Sequence, residues 1–385
     1  MEKDKYLEQL NKAIKSAIET EKFNPNNVIN KSKNVCIFGL GRFFEEAFLQ
    51  QSVKENYNVN LLCDNSLEKL DKIEKDPKFN DLKVITVDEL AKIDNLSVIL
   101  MLGNPWSVID QLKKLGIKNI FHYNELSVAR IMNTPKDVKW FEKSVPMIIE
   151  TYKMLGDNES KKVYVNILCN RIAPEIAEYS YDEMYMDKQY FNNELIEFND
   201  NESFVDCGAY NGDTVEEFLN RVNNKFENIY AFELDDENYK NLNLNISKFS
   251  NQIKEKIHFF NMGVWCEEKE IDYGRCSEND PAGGISIYKS QNSKKAKVVS
   301  LDQILMNKKI TIIKMDVEGS EYEALIGAQK IIKEQKPKLE ICLYHKISDF
   351  WIIPMYLKKL VPEYKFKIRH HSKNDFLETV CYAYV

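Results

Sequence analysis

Two spacings of apolar residues alternate along this chain of 385 residues. Short unbroken apolar runs, the mark of buried strands, are followed by stretches where apolar residues return every three or four positions, the mark of helices. Leu7, Leu10, Ile14 and Ile18 predict a first amphipathic helix, broken at Asn24-Pro25. Val35-Cys36-Ile37-Phe38 predicts a strand, Gly39-Leu40-Gly41-Arg42-Phe43-Phe44 leads into a helix, and a second strand runs from Val59 to Asp64. Further strands are expected at Lys83, Val98 and Asn119, with a helix from Pro105 to Leu115 stopped by Gly116. Strand and helix alternate, so residues 1–130 are expected to form a Rossmann-type α/β domain with a parallel sheet.

From 131 to 198 the pattern turns helical and polar, with Trp140, Val145, Ile148, Ile149, Tyr152 and Leu155 in helical rhythm. This stretch reads as a helical connector packing on a second domain, 199–385. There, strands are expected near 203–207, 229–233, 257–261, 310–315, 338–344, 364–368 and 377–384, and helices near 213–222, 236–247, 322–333 and 350–360. No helix separates the last two strands, which predicts a terminal antiparallel hairpin. The segment Tyr273 to Ser293 is polar, carries Pro281, Gly283 and Gly284, and has no periodicity. It reads as a long loop that shapes a binding site.

Composition narrows the class. Apolar content of 44% and charged content of 29% fit a globular protein, and the length calls for two domains. Net charge is −7 without a basic block, which argues against a nucleic-acid partner. The eight cysteines show no CxxC spacing and several lie in strand-like runs, so they read as core residues of a reducing compartment. The first residues have no apolar h-region and no run approaches membrane-span length, so a cytoplasmic location is expected.

The chemistry concentrates at strand ends. Phe204-Val205-Asp206-Cys207-Gly208-Ala209-Tyr210-Asn211-Gly212-Asp213 is an apolar strand, a glycine turn and a helix start. Glycine lets backbone approach a ligand closely, and the free N–H groups of the helix point into the turn. Glu233 ends the next apolar run, where a carboxylate can take both hydroxyls of a ribose. Asp316 ends Thr311-Ile312-Ile313-Lys314-Met315-Asp316. Gly208-x-x-x-Gly212 departs from the GxGxxG of dinucleotide binders, and an acid before the turn suits an ammonium better than a phosphate. A nucleoside with a cationic, amino-acid-like tail fits these features: S-adenosylmethionine.

These motifs resemble the FkbM family of S-adenosylmethionine-dependent methyltransferases over about residues 150–385, together with Val299-Ser300-Leu301-Asp302, Asp316-Val317-Glu318-Gly319-Ser320-Glu321 and Leu343-Tyr344-His345-Lys346. The resemblance implies a class I methyltransferase sheet of seven strands and transfer to oxygen, often a sugar hydroxyl. It implies that Asp206, Gly208, Tyr210 and Gly212 hold the methionine end, Glu233 the ribose, and Met262 and Gly263 the adenine. Asp316 would sit near the methyl donor. Extending it, His345 is a candidate base for the acceptor hydroxyl and Glu318 a second carboxylate at the transfer site. Lys314 is a candidate partner for these acids, and the spacing of Asp316 and Glu318 neither demands nor excludes a divalent ion. The expected acceptor is a sugar of a surface glycan or its precursor; a lipid-linked or tRNA acceptor stays open.

Other features have plainer readings beside the functional ones. Tyr273, Tyr288, Tyr344 and Trp351 are candidate stacking walls for a sugar, or core. His370-His371 are expected on an exposed turn. Gly39, Gly41 and Asp64 match part of a dinucleotide fingerprint, but Phe44 stands where its third glycine would be. A module without cofactor, used for substrate handling or subunit contact, is the expected role. A nicotinamide- or nucleotide-sugar-binding enzyme centred there, and a noncatalytic cofactor-binding scaffold, are the rival functions.

Overall fold

The computed structural model describes residues 4–21, 25–41, 44, 57–102, 105–123, 138–275, 285–286 and 294–385. The chain divides into two compact units: 1–146 with 162–185 and 372–376, and 147–161 with 186–371 and 377–385. The stretch expected as a connector is thus shared out, its helices Val138–Met154 and Asn158–Ile172 each giving residues to both units.

In the first unit, β1 (Asn34–Phe38), β2 (Leu61–Cys63), β3 (Lys83–Ile85), β4 (Leu96–Leu100) and β5 (Asn119–His122) form a parallel sheet of order β3-β2-β1-β4-β5. Side chains alternate between two apolar clusters. Val35, Ile37, Leu62 and Ile99 enter one; Cys36, Phe38, Leu61 and Val98 enter the other. A parallel sheet covered on both faces produces such continuous apolar runs. Phe44 is fully buried and packs on Phe79, with ring centroids 5.5 Å apart, so it fills space where a glycine would let backbones approach. Arg42 and Phe43 of the same motif lie outside the described residues.

The second unit is built on β6 (Ser203–Cys207), β7 (Asn228–Phe232), β8 (Ile257–Phe260), β13 (Ile312–Met315), β14 (Lys338–Cys342), β15 (Lys365–His370) and β16 (Thr379–Tyr384), in the order β15-β16-β14-β13-β6-β7-β8. Neighbours are parallel except that β16 runs antiparallel to β14 and β15. The helix Asp213–Arg221 buries Val215, Phe218 and Leu219, one face at helical spacing, and Phe218 meets Phe204 at 4.8 Å between ring centroids. Strand order reverses at β6, whose neighbours are β13 and β7. In open α/β sheets the crevice beyond the strand ends at such a reversal is where ligands bind.

Four further strands lie between β8 and β13: β9 (Gly263–Val264), β10 (Lys269–Arg275), β11 (Ile285–Ser286) and β12 (Lys294–Val299). The loop expected from Tyr273 to Ser293 therefore begins inside β10, includes β11 and ends one residue before β12. β10 and β12 pair antiparallel, placing Glu270 opposite Lys297 and Asp272 opposite Lys295. Charged cross-strand pairs on a solvated pair of strands leave little apolar alternation to read. Pro281, Gly283, Gly284 and Tyr288 lie outside the described residues.

Candidate active site

The turn after β6 is clamped from both sides. Gly208 has φ +84°, and a Cβ there would lie 1.9 Å from the Asp316 carbonyl oxygen, so only glycine fits. Gly208 and Ala209 both donate backbone N–H to the Phe232 carbonyl, at 3.0 and 2.9 Å. Tyr210 is left-handed at φ 46°, and Gly212, at φ +88°, leads into the helix Asp213–Arg221. The Tyr210 N–H donates to Glu233 Oε2 at 2.8 Å.

Glu233 follows β7 and is buried. Its Oε1 accepts the Asp235 N–H at 2.8 Å. An ionised carboxylate offers about four acceptor positions, so two remain after these bonds. Burial pushes the Glu233 carboxyl up to about 7, against the two N–H donors.

Asp206 points elsewhere. It is fully buried, and its Oδ1 meets Lys314 Nζ at 3.1 Å. β6 and β13 bring the two residues into register, and Lys314 Nζ also donates to the Gly208 carbonyl at 2.8 Å. Burial pushes Asp206 up to about 6, opposed by Lys314. Burial would lower Lys314, but the charges of Asp206 and Asp316 hold it above its ordinary value. The pair is ionised at neutral pH and secures the turn from within. Lys314, expected as partner to the later acids, is thus engaged mainly by Asp206, and Asp206 does not reach the crevice.

A cavity of about 380 Å³ opens at this sheet edge. Of the expected site residues, Gly208, Tyr210, Glu233, Gly263, Asp316 and Glu318 line it; Asp206, Gly212, Met262 and His345 do not. The sequence reading did not single out Gln189, Tyr190, Leu234, Trp265 and Glu378, which also line it. Tyr344 is on the wall, and its hydroxyl donates to Asp316 Oδ1 at 2.8 Å.

His345 corrects an expectation. It is buried, with Nδ1 3.0 Å from Glu321 Oε1 and Nε2 3.2 Å from Glu318 Oε2 and 3.7 Å from Asp316 Oδ1. Burial alone would lower its pKa; the carboxylates of Glu321 and Glu318 overcome that and raise it well above the ordinary value. Both ring nitrogens face carboxylates, Glu321 on one side and Glu318 on the other, and His345 does not line the cavity. Glu321 is fully buried, and its Oε1 accepts the Val317 N–H at 2.9 Å. This constellation lies beyond sequence reasoning, since His345 and Glu321 follow different strands.

Burial and hydrogen bonding bear on two other expectations. His370 is fully buried at the end of β15, its Nδ1 2.9 Å from Thr379 Oγ1. His371 lies between the Met186 carbonyl and the Tyr382 hydroxyl, each at 2.7 Å, so the pair is not an exposed turn. Trp351 and Tyr273 are core residues. In the first unit, Asp64 accepts the N–H groups of Leu40, at 2.7 Å, and Ser66, at 2.8 Å, with Lys69 Nζ at 3.3 Å.

Residues 206–368 match the Methyltransferase FkbM domain. Among solved structures, the chain is similar to the methyltransferase FkbM from Methylobacillus flagellatus KT, at 23% identity and TM-score 0.67, over 97% of this chain and 99% of that one. That likeness concerns the fold. Weaker matches include an rRNA methylase from Streptococcus thermophilus (14% identity, TM-score 0.29, over 49% of this chain and 88% of that one). Fibrillarin from Aeropyrum pernix, in complex with natively bound S-adenosyl-L-methionine, matches at 11% identity and TM-score 0.32, over 49% of this chain and 70% of its own. No curated protein matches. No helix among the described residues is long and apolar enough to cross a membrane.

Proposed function

The chain carries an FkbM methyltransferase domain over residues 206–368, and from that premise we propose that it uses S-adenosylmethionine to methylate a sugar hydroxyl of a surface glycan or its precursor. One observation carries the cofactor assignment. Glu233 stands at the wall of the cavity, fixed by two backbone N–H groups, with acceptor capacity left over for a ribose diol. The cavity volume of about 380 Å³ is in the range of small-molecule sites.

In this reading Glu233 holds the ribose, and Gly263 with Trp265 flanks the base. The turn from Gly208 to Tyr210 offers its bare backbone to the amino-acid end. When bound, the cofactor supplies a sulfonium methyl whose C–S bond breaks as the O–C bond to the acceptor forms. Alignment of the two oxygen- and sulfur-bearing groups supplies much of the rate in such a displacement. Asp316 and Glu318 are the carboxylates presented to the acceptor side. Tyr344 fixes Asp316 by its 2.8 Å hydrogen bond, so the carboxylate is oriented before the acceptor arrives. Polar Gln189 and Glu378 beside aromatic Tyr190 and Tyr344 suit a hydroxylated ring.

Incubation with a labelled methyl donor and a panel of glycan precursors tests the proposal. Label should enter a sugar oxygen. Binding of S-adenosylhomocysteine without transfer to any hydroxyl in the panel would overturn the acceptor class.

A further inference from the structure

We propose that Asp316, Glu318 and His345 Nε2 form a binding site for one divalent cation at the acceptor side of the cavity. The role given to it below rests on the methyl-transfer reading; the binding itself does not. His345 Nε2 faces two carboxylates, at 3.2 Å from Glu318 Oε2 and 3.7 Å from Asp316 Oδ1. Nitrogen and oxygen ligands that share an ion at about 2.0–2.2 Å lie roughly 3 to 3.4 Å apart, so small side-chain shifts would close the set. Asp316, Glu321 and His345 each offer a ligand atom within 4.8 Å of the others. Glu318 is about one-third exposed, whereas His345 is 5% exposed.

The far side of the imidazole supports this assignment. Nδ1 lies 3.0 Å from Glu321 Oε1, an ion-pair distance without hydrogen-bond alignment, and a small turn of the ring gives the arrangement in which an outer carboxylate orients a metal-binding histidine. Glu321 is itself held by the Val317 N–H, and its other oxygen, fully buried, has no hydrogen-bond partner among the described residues. A fully buried carboxylate with an orphaned oxygen is costly unless positive charge stands close by. Asp316, Glu318 and Glu321 surround one imidazole, while the adjacent Lys346 pairs with Glu323 at 3.7 Å. A divalent cation beside Nε2 would offset the Asp316 and Glu318 carboxylates, which face the same imidazole nitrogen.

Two carboxylates and one imidazole suit cations between manganese and zinc. Such an ion bound to the acceptor hydroxyl lowers its pKa. The proton then leaves to water, and the resulting oxygen takes the methyl carbon while sulfur keeps the C–S electron pair. This gives the deprotonation step an agent on the acceptor side, where His345 itself does not line the cavity.

The test is titration of the full-length protein with Mn²⁺, followed by calorimetry and by loss of the free-ion paramagnetic resonance signal. S-adenosylhomocysteine affinity is measured on the same samples. One Mn²⁺ per chain is expected. Glu318→Gln, at a partly exposed position, should weaken it at least tenfold, and His345→Gln should abolish it, with S-adenosylhomocysteine binding kept in the Glu318 variant. No Mn²⁺ uptake at millimolar concentration, or uptake unchanged in Glu318→Gln, overturns the site while leaving the cofactor reading intact. Loss of S-adenosylhomocysteine binding by the wild-type protein would instead overturn the methyltransferase reading.

Discussion

The Glu233 carboxylate accepts the backbone N–H of Tyr210, a residue 23 positions earlier, at 2.8 Å. That bond ties the end of β7 to the turn after β6, and both residues line the cavity. The same device recurs in the first unit, where Asp64 takes the Leu40 N–H at 2.7 Å. There Lys69 Nζ, at 3.3 Å, occupies part of the carboxylate.

Replacing Gly208 by alanine should disable the turn. The added Cβ would stand 1.9 Å from the Asp316 carbonyl oxygen, at a φ of +84° that side chains rarely adopt. The backbone must shift or the unit must loosen. We expect a loss of more than about 2 kcal/mol of stability, together with weak cofactor binding. A denaturant melt and calorimetry on the same preparation check both.

The Asp206–Lys314 pair should behave as a coupled unit. Lys314→Met leaves a fully buried carboxylate without its counter-charge, a change that costs roughly 3–5 kcal/mol. Adding Asp206→Asn should restore much of that loss. A double-mutant cycle by chemical denaturation gives the coupling; additive effects would show that the pair is not one unit.

Glu340 should make stability fall as pH rises. It is fully buried, and burial lifts its carboxyl from 4.5 to about 8, against the Phe191 N–H at 3.0 Å. Between those values the folded protein holds a proton that the unfolded chain has released. The stability tied to that proton is therefore fully present below 4.5 and is lost as pH passes through about 8. Glu340→Gln removes this slope. Scanning calorimetry from pH 6 to 9 should show the wild-type transition falling by on the order of 5 °C relative to the variant.

Much of the second unit was legible because buried parallel strands are nearly all apolar. Each expected strand lies within a few residues of an observed one, from Ser203–Cys207 to Thr379–Tyr384. The helix expected near 322–333 is two helices, Glu321–Gly327 and Gln329–Gln335, and a Cβ on Gly327 would lie 1.9 Å from the Trp265 carbonyl. Local periodicity carries no information about that tertiary approach. Strands β10 and β12 escaped for the opposite reason, because their pairing rests on charges such as Lys295 Nζ and Glu270 Oε1, 2.5 Å apart. At the site, acids at strand ends were readable, but which of them face the cavity was not. Lys314 inside an apolar strand was the available signal that Asp206 is neutralised internally. His345 and Glu321 meet only through the packing of separate elements.

The central claim is that Glu233 grips the cofactor ribose, and calorimetric titration with S-adenosylhomocysteine tests it most directly. Wild-type protein should bind, and Glu233→Ala, still folded by circular dichroism, should bind at least tenfold more weakly, since hydrogen bonds to a charged group contribute about 1.5–3 kcal/mol. Equal affinity in the two proteins would contradict the account.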